Sequence, residues 1–156
     1  MRAPFQILAI PYRVVDGHPL YCVFRRADLD QWQFIAGGGE EGETPLQAAA
    51  REIAEEGGAA ADDIIQLQSV CSIPVEHFPK RQLYHWPEDL YVLPEYAFGF
   101  ECQGEIRLSH EHTEYRWLPY EEARAKLKWD SNRTALYELH HRLKDQKTPG
   151  GNACIS

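Results

Sequence analysis

The stretch "GGGEEGETPLQAAAREIAEEGGA", Gly37 to Ala59, decides the fold of this chain. Three glycines open it, and three glutamates, Glu52, Glu55 and Glu56, stand within five residues of one another near its end. Like charges at these spacings destabilise a helix, and the negative end of the helix dipole adds to the repulsion. The cluster therefore indicates either a solvated acidic face or a site that holds cations.

The segment between the glycines and the glutamates carries helix signals. Thr44 has the position of an N-cap, with Pro45 in the first turn and Gln47 completing a capping box. A helix is predicted from Pro45 to about Glu56, ended by Gly57-Gly58. Its expected apolar stripe consists of Leu46, Ala49, Ala50 and Ile53. On a helical wheel the glutamates fall roughly opposite this stripe.

Two features favour a cation site over a solvated face. The helix has no lysine to relieve the repulsion, and its only basic residue is Arg51. The glycines before it, with Gly37 and Gly38 foremost, allow the backbone to approach a ligand closely. Clustered carboxylates are hard oxygen ligands that suit Mg²⁺ or Mn²⁺ together with substrate phosphates.

The same stretch resembles the Nudix box, in which glycine, glutamate and the Arg-Glu-x-x-Glu-Glu core recur at fixed spacing. Here Gly37, Glu43, Arg51 and the three glutamates fill that pattern, and only Ala59 is smaller than the bulky apolar residue expected at its end. The resemblance implies an α/β fold of the Nudix type, an α/β/α sandwich around a mixed sheet. It also implies hydrolysis of a nucleoside diphosphate linked to another group.

The resemblance assigns roles to individual residues of the box. Divalent metals, Mg²⁺ or Mn²⁺, are expected on Glu52, Glu55 and Glu56 together with the backbone carbonyl of Ala36. Glu43 and Arg51 are expected to form an ion pair that ties the glycine loop to the helix, as suits the rigid fork of an arginine. The alternative for Arg51 is a surface pair with Glu55, four residues further on.

The general base has two candidates, because relatives place it either on the box helix or on a later loop. Glu52 is the candidate on the helix. The segment "SHEHTEYRW" supplies Glu111 and Glu114, and Glu111 is preferred because it lies in the looser part of the segment. His110 and His112 flank Glu111, but a His-x-His without a third ligand is weak evidence for a metal site, so surface histidines are expected.

Beyond the box, the chain is similar to the bacterial dihydroneopterin-triphosphate (dATP) pyrophosphohydrolases of this family. The similar stretches are "FRRADLDQWQFIAGGGEEGET", "EHTEYRWL" and "KWDSNRTAL", which with the first strand span most of residues 5–140. By this resemblance Arg25, Arg26 and Arg133 meet phosphates, for which arginine forks are the right chemistry.

The same resemblance places ring-binding groups. Trp32 and Trp129 are candidates to stack on a flat heterocycle, with Asn132 hydrogen-bonded to it, while the alternative for each tryptophan is a core residue. Glu95 on a predicted strand either faces the substrate or is a strand-edge acid. Pro74, sixteen residues after Gly58, has a spacing associated with relatives that cleave ADP-ribose.

The leading hypothesis is therefore a Mg²⁺-dependent pyrophosphohydrolase that splits a nucleoside (dATP-like) or dihydroneopterin triphosphate into monophosphate and pyrophosphate. Hydrolysis of ADP-ribose or a dinucleoside polyphosphate is the alternative within the class. A Nudix-fold sensor that binds nucleotide without turnover is the alternative outside it, although such a module is expected to have lost box glutamates.

Composition bounds the remaining properties. The 156 residues suit a single domain, expected over 1–145, with 146–156 a disordered tail. A net charge of −8 disfavours nucleic-acid partners, so a small phosphorylated substrate is expected. The N-terminal apolar run lacks the features of a signal peptide or a membrane span, and the four scattered cysteines favour reduced thiols in a cytoplasm. Monomer and homodimer both remain open.

Strands and helices outside the box follow from periodicity and turn residues. Asp16-Gly17 predicts a tight hairpin turn, and a long loop is expected over 77–90. Strands are predicted over 5–15, 20–24, 30–37, 64–75, 91–102 and 113–118, and two further helices over 120–128 and 131–144.

Overall fold

A computed structural model describes residues 1–57 and 63–146, with Glu56 and Gly57 described for their backbone only. The strands are β1 (Arg2–Val15), β2 (His18–Arg26), β3 (Trp32–Gln33), β4 (Ile35–Glu40), β5 (Ile64–Pro74), β6 (Val92–Glu101) and β7 (His112–Leu118). The helices are α1 (Pro45–Glu52), α2 (Tyr120–Lys126) and α3 (Asp130–Gln146), and a π turn (Ile53–Gly57) continues α1. Of the predicted tail, Gln146 is the last residue of α3, and residues 147–156 lie outside the described residues, as do residues 58–59 at the end of the box.

The seven strands form one mixed sheet built around β1. Strands β3, β2, β1, β6 and β5 follow one another across it; β1 and β6 are parallel and the other pairs are antiparallel. The two halves of β1 have different neighbours on one side: residues 2–9 pair with β4, and residues 12–15 pair with β2. Strand β7 extends the sheet beyond β2. The split of β1 leaves β4 paired to β1 alone among the described strands.

Alternation along β1 separates two hydrophobic cores. Leu8, Ile10 and Tyr12 point to the face covered by α2 and α3, whereas Ile7 and Ala9 point to the face covered by α1. All five are buried. A sheet with apolar residues on both faces must be covered on both, so the predicted α/β/α sandwich is confirmed.

The box helix begins as predicted and ends differently. The Thr44 hydroxyl accepts from the backbone N–H of Gln47, and the Gln47 side chain accepts from the backbone N–H of Thr44. The predicted stripe is wrong in part, because Leu46 and Ala50 are exposed and the buried face contains Ala48, Ala49, Glu52 and Ile53. The last turn is π-helical rather than α-helical, a form found frequently at functional sites.

The segment between β5 and β6 is ordered more than its composition suggests. Two 3₁₀ turns, Val75–His77 and Arg81–Tyr84, replace the featureless loop expected over 77–90. Trp86 is buried, and its indole N–H donates to the backbone carbonyl of Arg2 at 2.9 Å. The segment is thereby fixed to the start of β1. In the part of the chain that is described, no helix combines the length and apolarity needed to cross a bilayer.

Candidate functional site

The glycines of β4 each accommodate a side chain from another element. A Cβ at Gly37 would overlap the carboxylate of Glu52, and a Cβ at Gly38 would overlap the guanidinium of Arg2. Because successive strand residues face opposite ways, Gly37 opens toward the box helix and Gly38 toward the other face of the sheet. The backbone of β4 therefore runs between an acidic group on one face and a basic group on the other.

Glu52 is held inside the protein rather than on its surface. Glu52 is only 8% exposed, although the helical wheel predicted that the glutamates lie opposite the expected apolar stripe. Burying a carboxylate is costly unless polar partners surround it, and Arg51 Nη1 lies 3.2 Å from Glu52 Oε1. The absence of a side chain at Gly37 provides the space that the carboxylate fills.

Arg51 links the glycine turn to the helix, as predicted. Its Nε and Nη2 donate to the two carboxylate oxygens of Glu43 at 2.8 and 3.0 Å, and Nη2 also donates to the carbonyl of Gly38 at 2.8 Å. The alternative contact also exists, because Arg51 Nη1 lies 3.6 Å from Glu55 Oε2. One guanidinium thus fixes the turn, the strand and the helix relative to each other.

The ion pair between Arg51 and Glu43 predicts how the stability of the fold depends on pH. The hydrogen bond from Arg51 holds the pKa of the Glu43 carboxyl below its usual range. A group with a depressed folded pKa stabilises the fold above its unfolded pKa of about 4.3, and this contribution is lost as the pH falls through the folded value. We expect Glu43→Gln to lower Tm at pH 7, with the difference from wild type narrowing below about pH 4.

Thermal unfolding followed by circular dichroism at several pH values checks this expectation. Glu41→Gln, an exposed side chain in the same turn, is the matched control and should leave Tm unchanged. A Tm difference for Glu43→Gln that is constant from pH 7 to pH 3 would contradict the assignment.

If the chain has the hydrolytic activity that its box resemblance implies, Gly37→Ala is expected to lower it about 10²-fold, the cost of moving a reacting group by roughly an ångström. The added methyl group requires the Glu52 carboxylate to leave its position, while alanine is compatible with a strand. Turnover of a triphosphate and Tm of the same preparation are the measurements. Gly17→Ala is the counterpart, because its φ of +81° with open space around it predicts a loss of stability with activity retained. Full activity in Gly37→Ala would show that Glu52 acts from elsewhere.

A cavity of about 550 Å³ adjoins β4. Its walls come from the N-terminal half of β1, from Ala36 on β4, from the end of β5, from β6 and from the first turn of α3. His77 and Phe78 contribute from the segment after β5. The volume is that of a small-molecule site, and aromatic and polar side chains both line it.

A continuous chain of polar side chains runs along this cavity. Arg2 Nη2 donates to Gln6 Oε1 at 2.8 Å, and Gln6 Nε2 donates to Glu95 Oε2 at 3.2 Å. Ser131 also hydrogen-bonds to Glu95, and the Asn132 amide lies 3.3 Å from the Ser131 hydroxyl. Burial raises the pKa of Glu95, and the bonds from Gln6 and Ser131 oppose that rise. These hydrogen bonds connect the Arg2 guanidinium to the buried Glu95 carboxylate within one cavity of small-molecule size.

Only some of the predicted substrate contacts line this cavity. Those that do are Arg26, Glu95, Trp129 and Asn132, and Ala36, predicted as a metal ligand, lines it as well. Arg25 instead pairs with Asp30 at 2.9 Å and with Glu114 at 3.5 Å. The Arg116 guanidinium and the Lys126 ammonium lie 5.4 and 4.8 Å from the ring centroid of Trp32, which packs against the hydrophobic core as in the core alternative.

Arg133 likewise lies outside the cavity, since it donates to the carbonyl of Leu127 and pairs with Asp130. The Asn132 side chain accepts a hydrogen bond from the backbone N–H of Phe34 at 2.9 Å and is buried. It therefore fixes the start of α3 against the strand region before β4.

The loop that carries Glu111 lies against a smaller cavity beside the first. Residues 110–112 line it together with Arg26 and Gln33, which also line the larger cavity. The carbonyl of Glu111 accepts from the N–H of Ala27 at 2.8 Å, so its position is tied to the end of β2. The expectation of two surface histidines is wrong for His112, which is buried against Phe24 with ring centroids 5.1 Å apart.

Several cavity residues were not anticipated from the sequence. Arg2, Gln6, Phe78 and Ser131 line the site although none belongs to the box. The Arg2 guanidinium lies 4.9 Å from the Phe78 ring centroid, and its buried Nε has no hydrogen-bond partner among the described residues. An arginine at the start of an apolar strand without an acidic neighbour was the available signal.

The donor set near Gly37 fits a hard divalent cation. Glu52 and Glu55 provide carboxylates, and Ala36 provides a backbone carbonyl one residue before Gly37. Among the described side chains, no three of histidine, cysteine, aspartate and glutamate are grouped to hold a metal ion. The third predicted carboxylate, that of Glu56, lies outside those side chains. The oxygen chemistry therefore suits Mg²⁺ or Mn²⁺, which prefer such ligands.

Comparisons with known proteins show what the whole chain is similar to. A profile of the NUDIX domain matches residues 10–139. Dihydroneopterin triphosphate diphosphatase of Escherichia coli is 33% identical over 152 residues, covering 88% of this chain and 93% of the relative. RNA pyrophosphohydrolase of Legionella pneumophila is 31% identical over 139 residues, covering 81% of this chain and 79% of the relative. A NUDIX hydrolase from Listeria monocytogenes superposes with a TM-score of 0.81 at 42% identity, covering 92% and 97%.

Proposed function

We propose, since the chain belongs to the Nudix family and is a hydrolase acting on phosphoanhydride bonds, that it splits a nucleoside or dihydroneopterin triphosphate into monophosphate and pyrophosphate. The reaction depends on Mg²⁺, with Mn²⁺ as a substitute. We place it in the cytoplasm as a monomer or homodimer without a nucleic-acid partner. The observation that carries the proposal is the buried Glu52 carboxylate at the backbone of Gly37, the residue after Ala36, which lines a cavity of small-molecule size.

The box residues are assigned to the phosphates. Glu52, Glu55 and Glu56, with the carbonyl of Ala36, would hold the divalent cations. Bound there, the cations supply charge neutralisation for the anhydride and acidify water. Arg51 and Glu43 keep the helix and the glycine turn in register, so the carboxylates are positioned before substrate arrives.

The cavity is assigned to the rest of the substrate. Arg2 presents its guanidinium at the wall, where it favours an anionic ligand despite the net charge of −8, whereas the guanidinium of Arg26 is already paired with Asp28. Trp129 and Phe78 offer aromatic faces for a heterocycle. The general base is Glu111 or Glu52, and we favour Glu111.

A second candidate substrate is ADP-ribose or a dinucleoside polyphosphate. Pro74, whose spacing suggested this alternative, lines the cavity at the end of β5. The name of the Legionella relative adds a triphosphorylated RNA end as a third possibility for testing.

A substrate panel with product identification tests the proposal. We expect pyrophosphate from dihydroneopterin triphosphate or a deoxynucleoside triphosphate in the presence of Mg²⁺, and no AMP from ADP-ribose. Preferential release of AMP from ADP-ribose, or of pyrophosphate from a 5′-triphosphorylated oligoribonucleotide, would replace the proposed substrate. Tight nucleotide binding without any turnover would indicate the sensor.

A further inference from the structure

The cavity contains a buried carboxylate that the hydrolytic chemistry does not use. Glu95 is 6% exposed and lies on β6, in register with Gln6 on the neighbouring β1. It borders the same cavity as Trp129 and Phe78. Burying a carboxylate away from the phosphates requires compensation, because the charged form loses its hydration. The compensation described so far comes from two neutral side chains, Gln6 and Ser131.

The two partners of Glu95 leave part of its hydrogen-bonding capacity for a ligand. An ionised carboxylate only accepts, and it offers about four acceptor directions on its two oxygens. Gln6 and Ser131 account for two of these among the described residues. The neighbouring Asn132 amide is already engaged at both ends, by the Phe34 N–H and by the Ser131 hydroxyl. Glu95 is therefore better placed than Asn132 to read the edge of a ring.

Ring edges differ in what they present to such an acceptor. The amino-lactam edge shared by guanine and pterin carries two adjacent N–H donors, one on the ring and one on the exocyclic amino group. The pairing edge of adenine has one donor beside an acceptor, and hypoxanthine lacks the exocyclic amino group. A carboxylate accepts from two parallel N–H donors, as it does from the guanidinium in a bidentate arginine–carboxylate pair. It repels an acceptor at the same place.

We propose that Glu95 selects substrates with an amino-lactam ring, a guanine or pterin triphosphate, over adenine triphosphates. The inference rests on the proposed function for the phosphate chemistry and adds the class of ring. Gln6 and Ser131 orient the carboxylate, and Arg2 in turn fixes Gln6. Trp129 and Phe78 line the same cavity and offer aromatic faces for the ring.

The test compares substrates that differ only at this edge. Steady-state kcat/KM is measured for dGTP, dITP and dATP with the full chain and Mg²⁺. We expect dGTP to exceed dITP by about 10- to 100-fold, the range for a hydrogen bond to a charged group. Glu95→Gln should bring the dGTP to dITP ratio close to one, with kcat/KM for dITP falling less than that for dGTP because hypoxanthine presents only the ring N–H to the carboxylate. The amide donates and accepts, so the ratio of dATP to dGTP should rise about tenfold or more.

Glu101→Gln is the matched control, because Glu101 lies on the same strand and is exposed. It should leave all three ratios unchanged. Equal kcat/KM for dGTP and dITP in the wild-type protein would overturn the proposal, as would an unchanged ratio in a folded Glu95→Gln variant. A purely structural Glu95 would lower turnover of every substrate alike and would also overturn it. Comparing kcat/KM for dGTP and for dihydroneopterin triphosphate shows whether the preferred amino-lactam ring is a guanine or a pterin.

Failure of the proposed function has a different signature. If no triphosphate is hydrolysed, binding of dGMP and dIMP is followed through tryptophan fluorescence instead. A preference for dGMP that Glu95→Gln removes would support the assignment of Glu95 without any turnover. Equal affinities for the two nucleotides would overturn it.

Discussion

Glu52→Gln is expected to lower kcat for triphosphate hydrolysis by about 10²- to 10³-fold, the scale for removing one preorganised electrostatic contact at a reacting centre. Glutamine retains the size and the buried position beside Gly37, so Tm should change little. It removes the negative charge that a divalent cation requires at this place. Binding of Mn²⁺, followed by its electron paramagnetic resonance signal, should weaken in parallel.

The control for Glu52→Gln is Glu121→Gln, a first-turn glutamate of α2 with an exposed side chain. It alters the net charge equally and should retain both turnover and Mn²⁺ affinity. Unchanged Mn²⁺ affinity together with wild-type kcat in Glu52→Gln would remove the metal assignment. Lost activity with unchanged Mn²⁺ affinity would assign Glu52 to proton transfer instead.

Glu111→Gln is expected to lower kcat by about 10²- to 10⁴-fold, with KM little changed. A general base acts in the transition state and contributes little to binding of the substrate. The backbone bond between Ala27 and Glu111 keeps the loop in place in the variant, so the effect reports on the side chain. Rapid-quench measurement of a single turnover separates the chemical step from product release.

Glu114→Gln is the comparison for this loop. Glu114 pairs with Arg25 and Arg116 on the surface and should affect kcat only slightly. A modest effect of Glu111→Gln, below about tenfold, would transfer the base to Glu52. The two glutamine variants together therefore decide which of the candidates takes the proton.

Local signals in the sequence predicted the elements well. The capping box at Thr44 and the turn at Asp16-Gly17 depend on residues a few positions apart, and both appear in the structure. The prediction of the apolar stripe was wrong in part because a helical wheel considers one helix without the elements that pack against it. The Glu52 carboxylate is buried in the space left by the missing side chain of Gly37, which lies fifteen positions earlier in the chain.

The candidate site was predictable only where a motif specifies it. The link between Arg51 and Glu43 follows from the box, whereas the chain from Arg2 through Gln6 to Glu95 joins residues up to 93 positions apart. A resemblance also cannot show which partner an arginine takes. Arg25, Arg26 and Arg133 were all expected at phosphates, yet a nearby aspartate already pairs with each of them.

The alternation of Gly37 and Gly38 along β4 has a consequence for how new specificities arise. Glu52, the proposed metal ligand, meets the strand from one face, and the cavity proposed to bind the ring lies on the other. Libraries that vary the end of β5 and the turn carrying Phe78 should therefore yield altered ring preferences at nearly constant turnover. A family can apply one reaction to many substrates when the residues that bind the ring change without disturbing those that hydrolyse the phosphates.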